Sequence, residues 1–209
     1  MFISFEGTDG AGKSLQSKKF KEYLESNGHS VTLLRDPGTT KIGEGLRNIL
    51  LDKNNTEMCN KTEALIYAGA RAQMVYELIL PALQRGEIII CDRYIDSNLV
   101  YQGISRKLGI EEIYDLNMFA TGNLLPDITF VLELPTEIGL KRKNNDGELD
   151  RLELENKEFF ESIRNGYIEI SKIYSDRIKL INANRTIDEI FREIKETYIK
   201  FLKVNAKKL

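Results

Sequence analysis

Gly7-Thr8-Asp9-Gly10-Ala11-Gly12-Lys13-Ser14 spells G-x-x-x-x-G-K-[ST] without a mismatch. It follows a β-rich run, Phe2–Phe5, and opens a segment with helical periodicity, Lys13–Ser26, that stops at the capping pair Asn27-Gly28. A strand, a glycine-rich turn and a helix in that order restrict the fold more than any other feature of the chain. The glycines let backbone N–H groups turn inward onto phosphate oxygens, and the helix N-terminus adds partial positive charge. Gly7, Asp9, Gly10, Ala11 and Gly12 are thus expected to line a nucleoside triphosphate's phosphates. Lys13 is expected to reach the β- and γ-phosphates, and the Ser14 hydroxyl a Mg²⁺ ion.

The rest of the chain repeats the alternation. Further strands are expected at Ser30–Leu34, Glu87–Cys91, Ile128–Leu134 and Ile178–Ile181, several of them unbroken apolar runs as buried parallel strands require. Helical periods occupy Lys61–Arg85, Lys157–Tyr174 and Thr186–Lys203. Strands alternating with helices predict a parallel sheet with right-handed crossovers. With 209 residues and no low-complexity linker, one domain over 1–209 is expected. Asn144-Asn145-Asp146-Gly147 is the most loop-like stretch, and Lys203–Leu209 is expected to fray.

A second phosphate-handling element is Ile88-Ile89-Ile90-Cys91-Asp92-Arg93. Four apolar residues ending in Asp deliver a carboxylate beside a metal, and the guanidinium that follows can clamp phosphate. Composition narrows the partners. Thirty Lys+Arg against 32 Asp+Glu give a net charge of −2, which argues against a generally basic nucleic-acid surface. Apolar runs of a few residues fall far short of the ~20 that span a bilayer. Met1-Phe2-Ile3 enters a strand with no basic signal-like region, and Cys59 and Cys91 make no disulfide framework, so a cytoplasmic location is expected. His29 is the one histidine, which weakens mechanisms built on a histidine base or a zinc site.

A phosphate loop serves kinases, GTPase switches and ATP-driven modules alike, so a nucleotide-dependent switch or binding module is the rival class. A guanine reader of the Asn-Lys-x-Asp type is approached only by Asn60-Lys61-Thr62-Glu63, which opens a helix and ends in Glu. Acceptor-side candidates for a kinase are Arg35-Asp36-Pro37-Gly38 after the second strand, and Tyr67 with Arg71 four residues on. A ring and a guanidinium on one helical face can stack on and bond a base, or simply pack in the core and face solvent. A monophosphate acceptor, with a second pKa near ~6, is already largely ionised at neutral pH and requires no dedicated base. Glu6 beside the loop is the competing base, and satisfying the local backbone or solvent is the alternative.

Along residues 2 to 167 the chain resembles the thymidylate kinases. The resemblance rests on Phe5-Glu6-Gly7-Thr8-Asp9-Gly10-Ala11-Gly12-Lys13-Ser14, Arg35-Asp36-Pro37-Gly38 and Thr62–Arg71. It continues through Cys91-Asp92-Arg93-Tyr94-Ile95-Asp96-Ser97 with Tyr101-Gln102-Gly103, Pro126-Asp127 and Leu149-Asp150-Arg151-Leu152-Glu153. It implies a P-loop kinase fold, a five-stranded parallel sheet flanked by helices with a short lid near 141–155, that transfers the ATP γ-phosphate to dTMP with Mg²⁺. A deoxynucleoside kinase or another monophosphate kinase is the alternative within the class. By this resemblance Arg71 bonds the thymine carbonyl and Tyr67 stacks where the family often has Phe. Arg93 binds the acceptor phosphate and bridges to the transferred group, and Asp9 meets the sugar 3′-hydroxyl. Ser97 and Gln102 lie along the base edge, and Tyr101 lies against the 2′ position. Arg35 and Pro37 belong to the acceptor site, and Ser14 with Asp92 to the metal. A homodimer is also implied, with Lys61–Arg85 part of its face. Thr39-Thr40, Glu133 and Ser14-Leu15 depart from the family's usual residues without removing a group that the chemistry needs.

The loop itself carries no arginine between its outer glycines, and phosphoryl transfer needs cations on the equatorial oxygens. Related kinases of that kind place arginines in the lid, so Arg142 and Arg151 are the expected catalytic cations, with a solvated helix face as the alternative for both.

Overall fold

The computed structural model describes residues 1–143, 151–152 and 154–205. Five strands form one sheet: β1 (Phe2–Gly7), β2 (Val31–Arg35), β3 (Ile88–Asp92), β4 (Ile128–Glu133) and β5 (Ile178–Asn182). Their order is β2-β3-β1-β4-β5, with every pairing parallel. All six residues of β1 are buried, as expected of the central strand of a sheet covered on both faces. On one face α1 (Lys13–Ser26) and α9 (Ile187–Asn205) pack Phe20, Leu24, Ile190 and Ile194 against Phe5 and Phe130. On the other, Met74, Val75 and Ile79 pack on Phe2 and Ile89, and α8 (Lys157–Ile173) packs Ile163 and Tyr167 on Val131. The sheet is therefore doubly wound, and its carboxyl edge is where ligands of such folds bind.

The register sets that edge. Phe5 and Arg35 both lie level with Asp92, so β1, β2 and β3 end side by side. From those ends issue the phosphate loop, Asp36-Pro37, and Arg93 respectively.

The strands and long helices fall where the sequence places them, except in two respects. Lys61–Arg85 is not one uniform helix. It is α3 (Asn60–Met74), a π-helical turn (Val75–Ile79) and α4 (Leu80–Gln84). Pro81 has no N–H to return to the preceding turn, and the wider turn accommodates its ring. Four helices were not signalled by periodicity: α2 (Lys41–Leu51), α5 (Ile95–Asn98) with the π-helical Leu99–Ser105 behind it, α6 (Ile110–Thr121) and α7 (Thr136–Lys143). α2 buries only Gly43 and Leu50, and half of the buried face of α6 is polar, Asn117 and Thr121. Neither presents a full apolar stripe. The loop-like Asn144–Gly147 and the chain end 206–209 lie outside the described residues. No described helix is long and apolar enough to cross a membrane.

Candidate active site

The phosphate loop is held open by backbone packing. Gly7 has φ 133° and Gly10 φ 75°, both in regions that side-chain-bearing residues avoid. A Cβ on Gly7 would run into the Leu132 carbonyl of β4, and one on Gly10 would lie 2.6 Å from the Gly139 carbonyl of α7. Gly12, at φ 89°, turns the chain directly into α1. Lys13 is buried, and its Nζ donates to the Thr8 carbonyl at 3.0 Å and lies 3.5 Å from Asp9 Oδ1. Burial and the neighbouring Arg93 charge lower its pKa, while Asp9, Asp92 and Glu6 oppose them.

Ser14 Oγ donates to Asp92 Oδ2 at 2.5 Å. One hydroxyl and one carboxylate from separate elements are the sparse, hard oxygen set that fits Mg²⁺, which takes its other ligands from waters and substrate phosphates. Arg142 of α7 donates to the Gly10 carbonyl at 3.2 Å, which brings one expected cation to the loop.

Arg93 is central. Its backbone has φ 71°, a conformation that costs an L-residue about 1–2 kcal/mol. The N–H of Arg93 donates to the Phe5 carbonyl at 2.9 Å, and that of Tyr94 to Glu6 Oε1 at 2.7 Å, which fix the turn. The guanidinium donates to Asp9 Oδ1 at 2.6 Å, to the Gly7 carbonyl and Ser97 Oγ at 3.1 Å each, and to Tyr167 Oη at 3.2 Å. It lies 5.2 Å from the Tyr101 ring centroid.

Beneath Arg93 sits Glu6, fully buried in β1. Besides the Tyr94 N–H it accepts from Ser97 Oγ at 2.5 Å and Tyr167 Oη at 3.0 Å. Burial and the Asp96 charge push its carboxyl up to about 7, against the hydrogen bonds of Ser97 and Tyr94 and the Arg93 charge. The backbone alternative for Glu6 is realised, and solvent is excluded. Its bonds run to the groups that hold Arg93, which gives it a supporting place under the site.

A cleft of about 210 Å³ extends from Lys13, Ser14, Asp92 and Arg93 to Arg71 and Gln102. Asp9, Arg35, Pro37, Tyr67, Ser97 and Tyr101 also line it, so all the expected acceptor residues meet there. At its far end Arg71 is buried rather than solvated. It is paired with Asp36 at 2.5–2.6 Å, donates to Asn98 Oδ1 at 3.1 Å, and also donates to Asn117 Oδ1. Burial pushes the Asp36 carboxyl up despite Arg71. Asp36 Oδ1 and Tyr101 Oη, both on cleft residues, are buried with no partner in hydrogen-bond geometry among the described residues. Such groups are costly in a closed interior and point to a ligand or water in the cleft.

Arg151 lies elsewhere, at the acceptor end. Its guanidinium pairs with Glu63 at 2.5 Å and donates to the Leu50 carbonyl at 2.9 Å. The remainder of the expected lid, 144–150 and 153, lies outside the described residues. Asn98, Asn117, Glu63 and Tyr167 had no signal as site residues. Asn98 and Asn117 lie on helices without clear periodicity, and Tyr167 reads as one more apolar position of α8. Glu6 had a signal, a carboxylate inside an apolar strand.

A parallel sheet with a phosphate loop after β1, an Asp-Arg pair at the end of β3 and one cleft joining them places the chain among the phosphate-loop nucleotide-binding proteins. The family profile described as Thymidylate kinase matches residues 5–194. A thymidylate kinase of Pediococcus pentosaceus is 43% identical over 204 residues, covering 96% of this chain and 98% of the relative. The thymidylate kinase of Thermosipho africanus is 45% identical, with 97% and 99% covered, and that of Lactobacillus helveticus 46%, with 96% of each. The chain belongs to the thymidylate kinase family.

Proposed function

We propose that this chain transfers the γ-phosphate of ATP to the 5′-phosphate of dTMP, giving dTDP. The observation that carries the proposal is the continuity of the cleft: phosphate-loop groups at one end, the buried Arg71 at the other, and Arg93 between them. The loop N–H groups and Lys13 hold the donor phosphates. Arg93, fixed by Asp9, Ser97 and Tyr167, binds the acceptor phosphate and aligns it with the donor. Tyr67 stacks on thymine and Arg71 donates to its carbonyl. Gln102 and Ser97 flank the base, Tyr101 covers the 2′ position, and Asp9 meets the 3′-hydroxyl. Arg35 and Pro37 close the wall at the end of β2. No side chain serves as a base, because the acceptor oxygen is already ionised. Ser14 and Asp92 would hold Mg²⁺, which neutralises charge between the β- and γ-phosphates when bound. Arg142 meets the transferring group in this reading, which its hydrogen bond to the Gly10 carbonyl supports.

The same reading makes 1–209 one kinase domain with its lid near 141–155, working in the cytoplasm as a homodimer. Leu65 of α3, Tyr76 of the π turn and Phe119 of α6 support the dimer, being 58%, 57% and 88% exposed on helices that a partner would cover. Phosphorus NMR of ATP, MgCl₂ and dTMP with the protein tests the reaction. Paired dTDP and ADP signals are expected, halted by EDTA and restored by excess Mg²⁺. ADP release without dTDP would refute the transfer.

A further inference from the structure

Glu63 has no task in the assignments above, yet this α3 carboxylate is 1% exposed and accepts four hydrogen bonds from the described residues. Its Oε1 accepts from Gln102 Nε2 at 2.8 Å and Arg106 Nε at 3.3 Å. Its Oε2 accepts from Arg106 Nη2 at 3.4 Å and Arg151 Nη2 at 2.5 Å. Arg106 is itself held by Glu155 at 2.7 Å and lies 4.6 Å from the Phe159 ring centroid. Burial pushes the Glu63 carboxyl up, but Gln102, Arg106 and Arg151 outweigh it and hold it below its ordinary value. Glu63 is thus an ionised, acceptor-only group.

That has a consequence for Gln102. Only the amide nitrogen can face a carboxylate, so the amide oxygen turns the other way, where it accepts from Asn98 Nδ2 at 2.7 Å. Among the described residues these bonds leave one N–H and one oxygen lone pair of Gln102, and the residue lines the cleft. Asn98 continues the chain to Arg71 at 3.1 Å, and Arg71 to Asp36 at 2.6 Å. On the opposite side, the Arg151 guanidinium takes the Leu50 carbonyl at 2.9 Å and its backbone N–H the Leu51 carbonyl at 3.2 Å. Arg151 thereby ties the end of α2 to α3 and leaves the adjacent Leu152 on the wall of the cleft that Leu51 and Gln102 also line.

We propose that Glu63 is a positioning residue for the acceptor base, acting through the Gln102 amide, and that Arg151 is the cation that holds Glu63 and seats Leu152 on the cleft. The proposal rests on the dTMP reading and gives Arg151 a role in acceptor binding in place of one at the transferring phosphate.

Steady-state kinetics with dTMP and ATP on wild type, Glu63→Gln, Arg151→Ala and Arg151→Lys test it. Glu63→Gln and Arg151→Ala should each raise the KM for dTMP about tenfold, with kcat and the KM for ATP within about threefold. Arg151→Lys, which can keep the ion pair, should recover part of that loss. In a Gln102→Ala background, Glu63→Gln should add nothing to the dTMP KM, which a general loss of stability would not mimic. A fall in kcat at unchanged dTMP KM, equal weakening of both substrates, or additive effects with Gln102→Ala would overturn the proposal. Wild-type protein that fails to phosphorylate dTMP would overturn the acceptor reading and this one with it. Normal wild-type turnover with unaffected variants would overturn this one alone.

Discussion

The two ends of the cleft are built on different principles. At the donor end, the groups on offer are mostly backbone: the loop from Gly7 to Gly12 and a helix N-terminus, with few side chains and with Gly12 and Ser14 exposed. At the acceptor end, side chains from α3, α5, α6 and the π-helical Leu99–Ser105 converge in a buried polar network around Arg71, Asn98, Asn117, Gln102 and Glu63. A backbone cradle accepts any nucleoside triphosphate's phosphates, because phosphate oxygens carry no identity. A buried network of fixed donors and acceptors discriminates, because a wrong partner leaves a buried group unpaired. Donor binding and acceptor choice should therefore respond separately to substitution.

The largest effect is expected at the donor end. Lys13→Ala removes the charge aimed at the β- and γ-phosphates, and turnover should fall by about a hundredfold or more. A variant keeping over about a tenth of wild-type rate would contradict that role. At the acceptor end, Arg71→Ala should raise the KM for dTMP by the equivalent of about 1–3 kcal/mol and barely change that for ATP. It should also lower the Tm, since it leaves Asp36 buried and unpaired. Equal losses for both substrates would erase the distinction between the two ends.

Two smaller tests sharpen it. Arg142→Ala should lower kcat about tenfold and leave the dTMP KM in place, because its contact is with the loop. An unchanged kcat would assign Arg142 to the exposed surface of α7. Glu6 joins the ends, and its raised pKa sets a direction. The folded state keeps the Glu6 proton up to about 7, whereas the unfolded chain releases it near 4.5. The stability this group contributes is present below pH 4.5 and is lost as pH rises through 7. Glu6→Gln lacks that loss, so the Tm of the variant relative to wild type should climb across this window. A difference that is flat with pH would show that Glu6 titrates no higher in the folded protein than in the unfolded chain.

Legibility in the sequence follows the same division. The donor end was legible because a phosphate loop is contiguous: its glycines, Lys13 and Ser14 sit in one string whose spacing is the geometry. The strands were legible because buried parallel strands are unbroken apolar runs, and Ile88–Cys91 shows this in four residues. The acceptor end was legible only through resemblance, as Tyr67 and Arg71 alone read more readily as a core ring and a solvated guanidinium. Asn98 and Asn117 lie nineteen positions apart and meet only through the packing of α5 on α6. Glu63 looked like a helix-entry acid, and nothing local says that Arg106 and Arg151 will converge on it. The π turn before Pro81 escaped for a related reason: a single wide turn leaves the hydrophobic period almost unchanged.

The most direct test of the whole account is a competition. Equimolar thymidine, dTMP, dUMP, dCMP, dAMP and dGMP are offered together with limiting Mg²⁺-ATP, and the products are resolved by anion-exchange chromatography. The account predicts dTDP as the main product, with no conversion of thymidine to dTMP. Preferential phosphorylation of thymidine, or of a monophosphate other than dTMP, would contradict it.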